Sequence, residues 1–186
     1  MRLIVGVSGS SGIIYGIRLL EVLSERNDIE VYLIITRAAE LILREELSKL
    51  KENVVKLAEH NYEPDEMDAP IASGSFPIDG MVVVPCSMKT LAGISSGYSE
   101  NLLLRAADVT IKENRPLIVV PRETPLNPIH LENMLKLSKL GVTVLPAIPA
   151  FYHNPSTVKE IVDYVVGKIL DVLNIEHSLF ERWKNR

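Results

Sequence analysis

Three short stretches carry residue types able to hold an anion or move a proton, and each follows an apolar run. Gly9-Ser10-Ser11-Gly12 follows Leu3 to Val7. Ser87-Met88-Lys89-Thr90, introduced by Pro85-Cys86, follows Met81 to Val84. Arg122-Glu123-Thr124 stands between Pro121 and Pro125 after Leu117 to Val120. Where a buried strand turns into a helix, free backbone amides helped by serine and threonine hydroxyls bind phosphate-like groups. Glu123 beside Arg122 adds a carboxylate placed for acid or base work next to such an anion. A plainer reading stands beside each: a tight turn with capping serines for the glycine cluster, and a surface ion pair for Arg122 and Glu123.

The glycine spacing narrows the ligand. Gly6, Gly9 and Gly12 give G-x-x-G-x-x-G, not the G-x-G-x-x-G of dinucleotide sites, and the second apolar run ends in Thr36-Arg37 where a ribose-binding acid would stand. A phosphate or flavin mononucleotide therefore fits better than NAD, with Gly9 allowing close backbone approach and Ser10 and Ser11 supplying hydroxyls.

Other reactive residue types are more ambiguous. Asp65-Glu66-Met67-Asp68 reads as a solvated turn in preference to a metal cluster, and His60, His130, His153 and His177 lack the H-x-x-x-H spacing of a zinc site, so no metal is expected. Cys86, behind apolar neighbours, reads as a small core residue more readily than as a nucleophile. The aromatic groups of Phe151-Tyr152-His153-Asn154-Pro155 face a ligand or cover a sheet edge, and Trp183 is open in the same way.

Positioning these turns requires a parallel sheet. Leu3 to Val7, Ile29 to Ile35, Met81 to Val84, Leu117 to Val120 and Val142 to Leu145 read as continuously apolar strands covered on both faces. Helices are expected from near Gly12, Ala38, Thr90, Glu100, Ile129 and Thr157, the last reaching about Leu173 with Ser156 as its N-cap. The segment from Leu50 to Asp79, rich in polar residues and prolines, is expected to be a surface excursion. Alternating strands and helices define one α/β domain over residues 1–186, with 175–186 as a C-terminal tail.

Composition excludes several function classes. With 186 residues, 47% hydrophobic and 24% charged, the chain suits a single folded domain. A net charge of -4 argues against non-specific nucleic-acid binding. No apolar stretch reaches the roughly 20 residues of a membrane span. Met1-Arg2-Leu3 leads straight into a strand, so no signal peptide is expected. One cysteine excludes an internal disulfide framework and fits a cytoplasmic location.

Taken together, the ordered blocks resemble the UbiX-type flavin prenyltransferases over nearly the whole chain. The resemblance rests on Gly9-Ser10-Ser11-Gly12, Pro85 to Leu91, Asn101 to Asp108 (NLLLRAAD), Lys112 to Pro116 (KENRP), Pro121 to Pro125 (PRETP), His130 to Met134 (HLENM) and Phe151 to Pro155 (FYHNP). It implies a single-domain, Rossmann-like flavoprotein fold of three layers with a mainly parallel sheet. It also implies an enzyme that joins the dimethylallyl group of dimethylallyl phosphate to reduced FMN without a metal, and supplies prenylated FMN to a UbiD-type decarboxylase. Gly9, Ser10, Ser11, Thr36, Ser87, Met88, Lys89, Thr90 and Arg122 would contact FMN. Lys112, Arg122, Tyr152 and Lys168 would surround the departing phosphate, with Trp183 contributed across a subunit boundary. Ser11, Glu46, Glu123 and Lys112 would form the catalytic set, and the family assembles as a dodecamer. Lys168 stands where many members carry arginine, keeping the charge but not the bidentate geometry.

Two other functions share the fold. A flavin-dependent decarboxylase of the cysteine-decarboxylating type would need a P-x-M-N-x-x-M-W clasp, which Asn127 and Met134 do not rebuild. A non-catalytic flavin carrier would not need the carboxylate of Glu123.

Overall fold

The computed structural model describes residues 1–48 and 50–183. Six strands form one parallel sheet in the order β3-β2-β1-β4-β5-β6: β1 Arg2–Val7, β2 Glu30–Ile35, β3 His60–Tyr62, β4 Gly80–Cys86, β5 Leu117–Pro121 and β6 Thr143–Val144. The helices are α1 Ile13–Ser24, α2 Arg37–Leu47, α3 Lys51–Val54, α4 Met88–Ser96, α5 Leu102–Lys112, α6 Pro128–Lys139 and α7 Val158–Val172. This is the expected α/β architecture of three layers.

Strand periodicity divides the core. Leu3, Val5 and Val7 of β1, with Leu33, Val82 and Ile118, pack under α1, α2 and α7. Ile4, Ile34, Met81, Val83 and Val119 point the other way, under α4, α5 and α6. Because both faces are covered, every central strand is apolar at successive positions, which is why the runs stand out in the sequence. Cys86 lies wholly inside the second cluster, where burial pushes its thiol proton affinity up, as suits a core residue.

Three details differ from expectation. A three-residue strand, His60–Tyr62, sits at the sheet edge inside the segment expected to be an excursion. Its His-Asn-Tyr sequence is too short and too polar to show strand periodicity. The N-cap of α7 is Thr157, whose hydroxyl accepts from the Glu160 amide at 3.2 Å; the Ser156 amide instead donates to the Glu160 carboxylate at 2.5 Å. The last strand covers only Thr143–Val144.

β1 connects outward to β2 on one side and pairs with β4 on the other, so the chain reverses its direction of travel across the sheet between β1 and β4. Open α/β sheets bind ligands at the carboxyl ends of the strands at such a point.

Candidate active site

The turns after β1, β4 and β5 are tied into one rim. Ser8, with no exposed surface, donates through Oγ to the Pro85 carbonyl at 2.9 Å and accepts from the Ser87 amide at 2.8 Å. Ser10 Oγ donates to the Arg122 carbonyl at 2.9 Å, and Arg122 Nε donates to the Ser11 carbonyl at 2.9 Å. Buried hydroxyls with satisfied bonds on both sides fix such loops relative to one another. The sequence singled out Ser10, Ser11 and Arg122 but not Ser8, which looks like any small residue between Val7 and Gly9.

Gly9 also allows a close approach within the protein. A Cβ there would lie 2.4 Å from that of Ala38, so the glycine lets the β1 turn press against the start of α2. Gly12, in the left-handed region at φ 91°, begins α1 without a side-chain cap of its own. The cap arrives from α2. Glu46 accepts from the Gly12 amide at 3.0 and 3.2 Å through its two oxygens, and from the Ile13 amide at 3.2 Å. A carboxylate at a helix amino end also complements the helix dipole.

Beside this rim lies a cavity of about 760 Å³ lined by Gly9, Thr36, Arg37, Ala38, Ser87, Met88, Lys89, Thr90, Asn101 and Glu123, among others. Three helices begin on its wall. Thr36 caps α2 at the Ala39 amide, Ser87 caps α4 at the Thr90 amide, and Asn101 caps α5 at the Leu104 amide. Capping uses one amide each, and the first amides of a helix have no partner inside it. Those of Met88 and Lys89 thus open onto a wall where three helix dipoles present their positive ends, a setting that suits the phosphate of a flavin mononucleotide.

Glu123 lines this cavity and also a neighbouring one of about 380 Å³ formed by Pro121, Pro125, Leu126, Met134, Pro146 and Ile148 with the turn itself. Its Oε1 accepts from the Thr124 amide at 3.0 Å. Arg122 also sits near Tyr15; burial pushes that phenol's proton affinity up, and the guanidinium opposes it. Tyr15, Arg37, Asp65 and Asn101 are neighbours of the site to which the sequence motifs assigned no site role, although Arg37, Asp65 and Asn101 stand in stretches the sequence brought forward.

The residues expected around a departing phosphate divide differently. Arg122 stands at the rim. Lys112 ends α5, about 15 Å along the helix from its start at the cavity, given a rise of roughly 1.5 Å per residue. There it pairs with Glu113 and faces Gly74. Tyr152, Lys168 and Trp183 gather in a second cluster between α7 and the tail. The Tyr152 ring meets that of Trp183 edge-on at 5.3 Å, and Lys168 pairs with Asp171 at 3.1 Å. Within one chain, then, Lys112 and the Tyr152 cluster are not brought onto the wall of the large cavity.

The acidic turn at Asp65 behaves as a surface loop: Asp65 pairs with Arg37 at 3.3 Å and Glu66 accepts from the Glu63 amide. Among the described residues, no group of three or more histidine, cysteine, aspartate or glutamate side chains converges as metal ligands would. His130 serves in the capping box of α6 with Asn127. No helix among the described residues is long and apolar enough to cross a membrane.

A Flavoprotein family model matches residues 1–182. The flavin prenyltransferase UbiX of Methanocaldococcus jannaschii is 54% identical over 183 residues, covering 98% of each chain. Two solved structures superpose over the whole chain. One, a dodecameric FMN-dependent UbiX-like decarboxylase from Escherichia coli O157:H7, has 47% identity, a TM-score of 0.98 and all of its own chain covered. The other, AnUbiX (PadA1) in complex with FMN and dimethylallyl pyrophosphate, has 42% identity, a TM-score of 0.96 and 98% of its chain covered. The peptidyl-cysteine decarboxylase EpiD, at 21% identity and a TM-score of 0.63, shares the fold alone. The chain belongs to the flavoprotein family, in its UbiX-type flavin prenyltransferase branch.

Proposed function

We propose that this chain is a flavin prenyltransferase that transfers the dimethylallyl group of dimethylallyl phosphate to reduced FMN. The observation that carries this reading is the large cavity at the β1/β4 reversal, where three helix amino ends and the Glu123 carboxylate meet. The 42% identical structure holding FMN and dimethylallyl pyrophosphate supports the same pairing of ligands.

Reduced FMN supplies the nucleophilic ring nitrogen and the adjacent benzenoid carbon that take up the five-carbon unit. The allylic carbon–oxygen bond breaks with its electron pair leaving on phosphate, so fixed cations assist by holding the growing negative charge. In this reading Gly9, Ser10, Ser11, Thr36, Ser87, Met88, Lys89, Thr90 and Arg122 hold FMN. Glu123, with Ser11 as relay, receives the proton released on ring closure and returns one to the leaving phosphate. Glu46 belongs to this polar set by fixing the turn that carries Ser11. Arg122, Lys112, Lys168 and Tyr152 receive the phosphate without a metal, with Trp183 beside the prenyl group.

Because Lys112 and the Tyr152 cluster stand off the cavity wall in one chain, we propose that neighbouring copies complete the site. The dodecameric relative supports such an assembly. We also propose that residues 1–186 act as one flavin-binding domain in the cytoplasm and hand the product to a UbiD-type decarboxylase. Mass spectrometry of flavin after incubation with dimethylallyl phosphate, and in parallel with dimethylallyl pyrophosphate, tests the reaction. Co-expression with a decarboxylase that requires prenylated FMN tests the recipient.

A further inference from the structure

We propose that Asp171 is a positioning residue for the donor side of the site: its carboxylate pins Lys168 to the C-terminal tail and sets where Trp183 lies against Tyr152. The proposal rests on the phosphate role given above to Lys168 and Tyr152.

Asp171 stands in the last turn of α7 with a side chain only 19% exposed. One oxygen accepts from Lys168 Nζ at 3.1 Å and Arg182 Nη1 at 3.3 Å; the other accepts from Arg182 Nη2 at 2.7 Å and lies 3.2 Å from His177 Nε2. Lys168 comes from the helix, whereas His177 and Arg182 come from the segment beyond it. A two-pronged guanidinium contact is directional as well as strong, so it fixes the course of the tail and not merely its proximity. A lysine on its own flexible stem lacks that geometry, and the shared carboxylate supplies a fixed point for it.

The seat of the tail is built into the helix independently of this pin. A Cβ at Gly167 would lie 2.5 Å from the Phe180 ring and 2.7 Å from His177. Only a glycine at this helical position therefore leaves the notch into which both rings fit, despite the cost of glycine inside a helix. Phe180 also packs on Tyr164 at 4.9 Å and under the Arg182 guanidinium at 5.8 Å. Three residues after Phe180, Trp183 meets Tyr152 at 5.3 Å with the rings at 88°.

The test combines steady-state kinetics of the full chain with fluorescence of Trp183, the sole tryptophan. In Asp171→Asn, KM for dimethylallyl phosphate is expected to rise at least about tenfold, the lower end of what a charge-assisted hydrogen bond contributes. FMN affinity is expected to stay unchanged while acrylamide quenching of Trp183 increases. Arg182→Gln, at an exposed position, is expected to move both readouts the same way and decides the matter if Asp171→Asn does not fold. Unmoved KM and quenching would overturn the proposal. A raised KM with unmoved quenching would also overturn it, by reducing Asp171 to a partner of Lys168 alone. An unmoved KM in Lys168→Ala would instead overturn the phosphate role of Lys168, and quenching would still decide the pin.

Discussion

Arg122 donates from Nε to the Ser11 carbonyl at 2.9 Å, so the only arginine on the β5 turn is spent in part on holding the β1 turn in place. Ser10 returns the contact through the Arg122 carbonyl. Replacing the side chain removes both a cation at the rim and the strut that shapes it. Arg122→Ala is expected to weaken FMN binding at least tenfold, in line with about 1.5–3 kcal/mol for a hydrogen bond to a charged group. Titration of flavin fluorescence measures this. Arg122→Lys, which keeps the charge but has no Nε donor, should fall between the two.

Glu123 lies on the cavity wall with its own turn's Thr124 amide as its hydrogen-bond donor. Glu123→Gln preserves shape and removes the proton acceptor. Turnover is expected to fall about 10²- to 10⁴-fold, the range of general acid–base catalysis, with FMN affinity changed less than threefold. Single-turnover formation of prenylated flavin measures the first quantity and equilibrium titration the second. Intact turnover would contradict the acid–base role of Glu123.

Glu46 caps α1 from a different helix. Glu46→Gln is expected to lower stability by about 0.5–2 kcal/mol, the cost of losing a cap, seen as a lower urea midpoint at unchanged slope. Turnover, measured where both proteins are folded, should fall as well, because the same carboxylate fixes the turn bearing Ser11.

The sequence disclosed the strands and the three ligand-facing turns because a parallel sheet covered on both faces needs unbroken apolar runs, and such runs end abruptly at the site. It did not disclose β3, whose His60-Asn61-Tyr62 pairs only at an edge, nor Ser8, whose importance lies in two bonds to Pro85 and Ser87 across 77 and 79 positions. The grouping of Lys112 with Arg122 by motif did not anticipate that α5 carries Lys112 away from the cavity. Motif order groups residues along the chain; it does not say where the fold places each of them relative to the cavity.

Acid should loosen the tail late. Burial raises the proton affinity of Asp171, but the bonds from Arg182 and Lys168 outweigh it and bring its pKa from 3.8 down to about 2. A carboxylate held below its unfolded value stabilises fully above that value and loses its contribution as pH falls toward the folded one. Trp183 quenching is therefore expected to stay constant down to about pH 4 and to rise between about 4 and 2. A midpoint above pH 5 would contradict a carboxylate pin.

The most direct measurement is anaerobic incubation of the purified protein with reduced FMN and dimethylallyl phosphate, with and without EDTA, followed by mass spectrometry of the released flavin. The expected result is a flavin heavier by one five-carbon prenyl unit in both samples. Unchanged FMN in both would contradict prenyl transfer from the monophosphate, and product lost only with EDTA would contradict transfer without a metal.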